Sequence, residues 1–260
     1  MKLKPILLAS IGVGLVGIAI GVIAVMLVHP ALRGNSVDER VVRNTLRANP
    51  EIILEALQTL QDRRAAMGRT QQRDAVLANR AKLLDDPNSF VGGNPGGDVS
   101  VVEFFDYRCP YCRQSMAIVG ELVKKDPGVR VVYKEFPVLG PQSIIAARLA
   151  VAARHDARYE ALHAALMSAP SPLDEEQVLR IATDLELNTE SLAMAMKKPE
   201  IDEILRANLA LGRQLGISGT PAFVIGETVI PGLTPLADLQ RIVADARARG
   251  GDRALRKSGG

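Results

Sequence analysis

Val99-Ser-Val-Val-Glu-Phe-Phe-Asp-Tyr-Arg-Cys-Pro-Tyr-Cys112 decides the fold. Its first seven residues are β-branched, apolar or aromatic almost throughout, the composition of a buried strand. Asp106, Tyr107 and Arg108 turn the chain, and Cys109-Pro110-Tyr111-Cys112 opens a helix that reaches about Lys125. Pro110 suits the first helical position, where its missing N–H would be unpaired anyway. Cys109 then stands at the helix N-terminus, where free backbone N–H groups and the helix dipole favour a thiolate. Cys112, three residues on and one turn down, is close enough to close a disulfide with it. In that arrangement Cys109 attacks a substrate disulfide and Cys112 resolves the mixed disulfide.

Outward from this centre the pattern stays α/β. Val129–Lys134 reads as a second strand. Residues 141–216 are helical in pattern, in segments Pro141–His155, Tyr159–Met167, Asp174–Leu185 and Pro199–Leu215. Gly216-Ile-Ser-Gly-Thr-Pro-Ala-Phe-Val-Ile-Gly226 turns into a short strand. Thr228–Ile230 is its hairpin partner, and a last helix runs from about Thr234 to Ala248. Strand–helix–strand, a helical insert, then hairpin and helix describe a sheet with helices on both faces. Half a metal site is the competing reading of the cysteine pair. It lacks ligands, since His29, His155 and His163 are scattered along the chain. His155 and His163 read as helix-surface residues, and Tyr107 as core packing.

The N-terminal side is organised differently. An uncharged run from Pro5 to Val28 is 24 residues long, about 36 Å as a helix and enough to span a bilayer. Residues 1–30 are therefore expected to be a signal anchor, with a cleaved export signal as the alternative. Either one sends the body of the chain out of the cytoplasm. Residues 37–84 read as a helical stalk. Asn49-Pro50-Glu51 starts a helix, and Ile53, Leu57, Leu60 and Met67 follow a heptad-like spacing that Arg64 interrupts. The stalk is either a solvated spacer or a site of self-association. Asp85-Asp-Pro-Asn88 and Gly92-Gly-Asn-Pro-Gly-Gly97 mark the boundary of a domain over 98–248, and 249–260 reads as a basic flexible tail.

The composition fits this organisation. Among 260 residues, 47% are apolar and 23% charged, which excludes a disordered chain, collagen and a polytopic membrane protein. Two cysteines exclude a disulfide-rich scaffold and a four-cysteine zinc site. The net charge of +3 arises in the flanking segments, because acidic residues outnumber basic ones over 83–246. That distribution argues against nucleic acid as a partner.

Residues 98–248 resemble the DsbA-type thiol:disulfide oxidoreductases. The Phe-Phe-Asp-Tyr-Arg-Cys-Pro-Tyr-Cys run matches their active-site motif, and Gly-Thr-Pro-Ala-Phe matches their cis-proline loop. The stretch from Arg43 to Leu57 resembles the N-terminal extension of Com1-like and suppressor-of-copper-sensitivity C-type members. The resemblance implies a thioredoxin fold with a helical insertion at about 141–200, preceded by the membrane helix and the stalk. It implies Cys109 as nucleophile, Cys112 as resolving thiol, Thr220-Pro221 as the cis peptide facing them, and Glu103 as a buried acid that exchanges the Cys112 proton. It implies no cofactor. The partners it implies are exported proteins with thiols or disulfides, a membrane redox partner, and other copies of the chain met through the stalk. The strongest oxidants carry His where Tyr111 stands, so this disulfide is expected to be less oxidising. Thr220 before the proline is closer to isomerase-type relatives. The expected protein is a tethered, periplasmic oxidase or isomerase. The alternatives are a reductase of other redox proteins or a copper-handling protein using the same two cysteines.

Overall fold

The computed structural model describes residues 38–252. The expected membrane segment and most of the tail lie outside the described residues; among the described residues, no helix is long and apolar enough to cross a membrane. The chain divides after Arg64 into two compact units. The first contains α1 (Glu39–Ala48), capped by the Asp38 carboxylate, and the start of α2 (Glu51–Ala78). Ile52, Ile53, Leu54, Leu57 and Leu60 on it are all exposed.

The second unit is built on a five-stranded mixed sheet. Its strands are β1 (Val91–Gly93), β2 (Val99–Phe105), β3 (Val129–Glu135), β4 (Ala222–Ile225) and β5 (Thr228–Pro231), in the order β1-β3-β2-β4-β5. Central β2 pairs in parallel with β3 and antiparallel with β4, and every one of its residues is buried. Around the sheet lie α3 (Arg80–Leu84), α4 (Pro110–Lys125), α9 (Pro199–Gln214) and α10 (Leu236–Ala248). The strand period of two splits the side chains between two layers. Val99 and Val101 pack with Val119 and Leu122 of α4 and Leu239 and Val243 of α10. Val102 and Phe104 pack on the other side with Leu211 of α9. Gly212 lets α9 approach closely there, since a Cβ at that position would overlap the Phe136 ring.

Between β3 and α9 the chain forms α5 (Pro141–Ala152), α6 (Tyr159–Ser168), α7 (Glu175–Asp184) and α8 (Thr189–Ala195). They share a core with Phe105, Tyr107, Cys109 and Cys112, so the insertion closes over the end of β2 that carries the cysteines. This is the thioredoxin-like fold with a helical insertion that the sequence predicts.

The packing extends beyond 98–248 at both ends. Val76 of α2 and Leu83 and Leu84 of α3 belong to the α9-side layer. Buried Lys134 pairs with Asp86 at 2.6 Å, fastening the following loop to the sheet. Past α10, Asp252 accepts from the Ser100 N–H at 2.9 Å and its hydroxyl at 2.7 Å, so the chain at 250–252 is pinned to β2. One expectation is corrected: His163 is buried, because α6 is enclosed by the sheet on one side and the other insertion helices on the other, while His155 is exposed as expected.

Candidate active site

Cys109 caps the N-terminus of α4, with Pro110 as first helical residue, as the sequence predicts. Its backbone N–H bonds the Asp106 carbonyl at 3.0 Å, and its carbonyl accepts from Cys112 at 3.1 Å. Cys109 is 5% exposed and Cys112 is fully enclosed, and both are free thiols. The two sulfurs thus differ in access: one sits at the mouth of the helix, the other one turn inside. Burial pushes the Cys112 thiol far up, against the opposing pull of the Asp106 backbone and Thr220.

The loop before β4 faces this pair. The Thr220–Pro221 bond is cis, as expected, and Cys109 Sγ donates to the Thr220 carbonyl oxygen at 3.2 Å. The structure also holds a second cis bond, Ser171–Pro172, that the sequence did not suggest. A groove of about 370 Å³ runs along the cis-proline loop, between Gly219, Pro221, Val229 and Gln72 of α2. Tyr111 is 57% exposed between the cysteines. Val138 and Leu139, also exposed, border the turn through their N–H groups.

Glu103 lies beneath, on the face of β2 that packs against α4. Ser115, one turn below Cys112, donates to Glu103 Oε1 at 2.8 Å. Burial pushes the Glu103 carboxyl up to about 7, with the Ser115 hydrogen bond opposing. The structure therefore brings Cys109, Cys112, Thr220 and Pro221 together, with Glu103 behind α4.

Asp106 is a site residue that the sequence reading passed over as a turn. Its Oδ1 accepts from the Arg108 N–H at 2.8 Å and the Ser143 hydroxyl at 2.7 Å. Its Oδ2 accepts from Val138 and Leu139 N–H at 2.8 and 2.9 Å. The turn before Cys109 is thereby tied to the loop leading into α5. The available signal was an acid directly between Phe-Phe and the cysteine motif, where a surface turn would leave it free but a buried one must satisfy it. Ser115 had a signal too, standing three residues from Cys112 on the same helix face.

Comparison with known proteins fits this geometry. The family model "DSBA-like thioredoxin domain" matches residues 100–244, and "Copper resistance protein ScsC N-terminal domain" matches 39–66. A thioredoxin-like oxidoreductase of Silicibacter pomeroyi is 49% identical, covering 65% of this chain and 98% of its own, with a TM-score of 0.63. Proteus mirabilis ScsC in a transitional conformation is 32% identical over 81% of this chain and 95% of its own, TM-score 0.63. BcfH of Salmonella enterica Typhimurium is 30% identical over 87% and 99%, TM-score 0.67. Among curated sequences, the Na(+)/H(+) antiporter NhaA 3 of Salinispora tropica is 27% identical over 225 residues, 84% of this chain. This chain spans only 34% of that protein's length, and the transport activity in its name is said of that protein. The chain belongs to the DSBA-like thioredoxin family of thiol-disulfide oxidoreductases and carries a ScsC-type N-terminal segment.

Proposed function

We propose that the protein exchanges disulfides in exported proteins on the periplasmic side of the membrane, with Cys109 as the attacking sulfur and Cys112 as the resolving one. The observation that carries this reading is the inequality of the two sulfurs. Cys109 caps α4 beside the cis-proline loop, while Cys112 is sealed one turn inside. As an oxidase, the Cys109–Cys112 disulfide is attacked at Cys109 by a substrate thiolate. The S–S bond breaks, Cys112 leaves, and its buried sulfur takes up a proton. A second substrate thiolate then attacks the substrate sulfur of the mixed disulfide. The substrate becomes oxidised, Cys109 leaves, and the enzyme becomes a dithiol. As an isomerase, reduced Cys109 attacks a wrong disulfide and is released when the substrate re-pairs. Glu103 exchanges the Cys112 proton, a role suited to a buried carboxyl poised at about 7.

The periplasmic setting draws support from a Salmonella enterica serovar Typhimurium relative described as a periplasmic thioredoxin-like protein, 31% identical over 65% of this chain. The exposed apolar residues of the first unit support contact between copies. Copper binding by the two sulfurs is a second reading, favoured by the name of the model matching 39–66. Copper titration before and after alkylation of both cysteines separates it from exchange.

Cys112→Ala tests the main reading. Mixed disulfides with substrate accumulate on Cys109, identified by mass mapping of the adducts. Adducts on Cys112 in the Cys109→Ala protein, with none on Cys109 in the reciprocal one, would reverse the assignment.

A further inference from the structure

Behind the Cys109 turn, on the side of the insertion, four polar side chains meet inside an aromatic shell. Tyr107, two residues before Cys109, donates its hydroxyl to Glu135 Oε1 at 3.0 Å. Tyr159 of α6 donates to the same oxygen at 2.9 Å. His163 Nδ1, also on α6, lies 3.2 Å from the Tyr107 oxygen. A phenol has one hydrogen, so with that hydrogen on Glu135 the His163 contact requires Nδ1–H to donate. Phe105 stands edge-on to His163 at 4.7 Å, and Phe90 stacks on Tyr159 at 4.2 Å. Glu135 Oε2 is buried without a hydrogen-bond partner.

We propose that Glu135 is a positioning residue for disulfide exchange, fastening Tyr107, and through it the turn that carries Cys109, to helix α6 of the insertion. The proposal rests on the reading of Cys109 as the attacking sulfur.

Glu135 acts as a neutral acid. Burial pushes its carboxyl up to about 8, the two phenols pull it down, and Asp106 in the turn adds to the rise. His163 from α6 supplies no positive charge, because burial pushes it down to about 3. From α9, Asn208 reaches only the Glu135 backbone carbonyl, at 3.2 Å. Lys134, the next residue in β3, points to the opposite sheet face and pairs with Asp86. An ionised Glu135 is thus a buried charge without a cation. Ionisation makes Oε1 a stronger acceptor for the two phenol hydrogens, so the attachment of Tyr107 does not depend on the Glu135 proton.

The test compares wild type with Glu135→Gln, Glu135→Ala and Tyr107→Phe in the full chain. The reading is the rate at which Cys109 enters a mixed disulfide with a disulfide-bonded peptide at about pH 7. Losing the shared hydrogen bond slows capture about tenfold at pH 7 in Glu135→Ala and Tyr107→Phe. Glu135→Gln keeps an oxygen for both phenols and restores the rate. Wild-type capture in Tyr107→Phe, which retains the ring and its packing, overturns the proposal even if Glu135→Ala does not fold. Failure of Glu135→Gln to restore the rate overturns it as well. Adduct mapping keeps the two readings apart: adducts on Cys112 in wild type sink the Cys109 assignment, whatever the variants do.

Discussion

Burial holds Glu103 protonated to about pH 7, where an exposed carboxyl ionises near pH 4.3. Between those values the unfolded chain has released the proton and the folded chain retains it, so stability falls as pH rises across that window and then levels off. Glu103→Gln has no charge to bury and keeps an oxygen for the Ser115 hydroxyl. It should therefore be more stable than wild type at pH 8, by up to about 3 kcal/mol. The advantage should vanish near pH 4. At the same time it should slow the departure of Cys112 when a substrate thiolate attacks the Cys109–Cys112 disulfide, because the exchangeable proton is gone. Denaturant unfolding at the two pH values reads the first effect, and single-turnover exchange reads the second. Equal stability gains at both values would mean that the carboxyl titrates normally. A buried residue that costs stability where it stands is a candidate for a chemical role there.

At the scale of elements, Asp106 decides how the turn, the 136–140 loop and α5 fit together. Both of its oxygens accept from two donors each. Asp106→Asn keeps the shape but must aim an NH₂ group at one of those donor pairs. It should lose about 3 kcal/mol and slow Cys109 alkylation, nearly as much as Asp106→Ala does. Thermal unfolding with an alkylation time course checks this, and an Asn variant matching wild type in both would refute it. The same elements show what was legible beforehand. β2 was readable because a fully buried strand needs no alternation, only a β-branched and aromatic run between turns. α4 was readable from Pro110 behind a cap. β1 was not: Val91-Gly92-Gly93 has the composition of a turn, and it is a strand because its backbone pairs with Arg130, Val131 and Val132. His163 was misplaced because Tyr159, Leu162, His163, Leu166 and Met167 of α6 are all buried, so the helix has no clean solvent face to read. Cys109, Cys112, Thr220 and Pro221 were legible from motif and spacing. Asp106 and Glu135 were not, because their partners come from loops and helices distant in sequence, and a charge in a strand does not announce what satisfies it.

At the scale of the whole molecule, the division after Arg64 separates a unit with a complete core from one without. α1 and the first part of α2 present Val41, Ile52, Ile53, Leu54, Leu57 and Leu60 to solvent. So short a helical segment cannot bury that surface within itself. Contact between copies would bury it and place several Cys109 sulfurs around one misfolded substrate. That arrangement raises the effective concentration for second and third encounters without any new contact at the active site. Isomerisation needs such repeated encounters, whereas oxidation of a peptide dithiol needs one disulfide and one visit. Deleting residues 37–60 removes this surface and leaves Val76, Leu83 and Leu84 to complete the second unit's core. The deletion should yield a folded monomer. It should lower the rate of reactivating scrambled ribonuclease by about tenfold or more, while oxidation of a peptide dithiol stays within about twofold. Sedimentation of a fragment that starts at residue 31, with and without residues 37–60, together with both assays, measures the difference. A strictly monomeric fragment before deletion, or an equal fall in both activities, would refute self-association as the basis of isomerisation. The apolar stripe would then be a face whose loss weakens the catalytic unit itself.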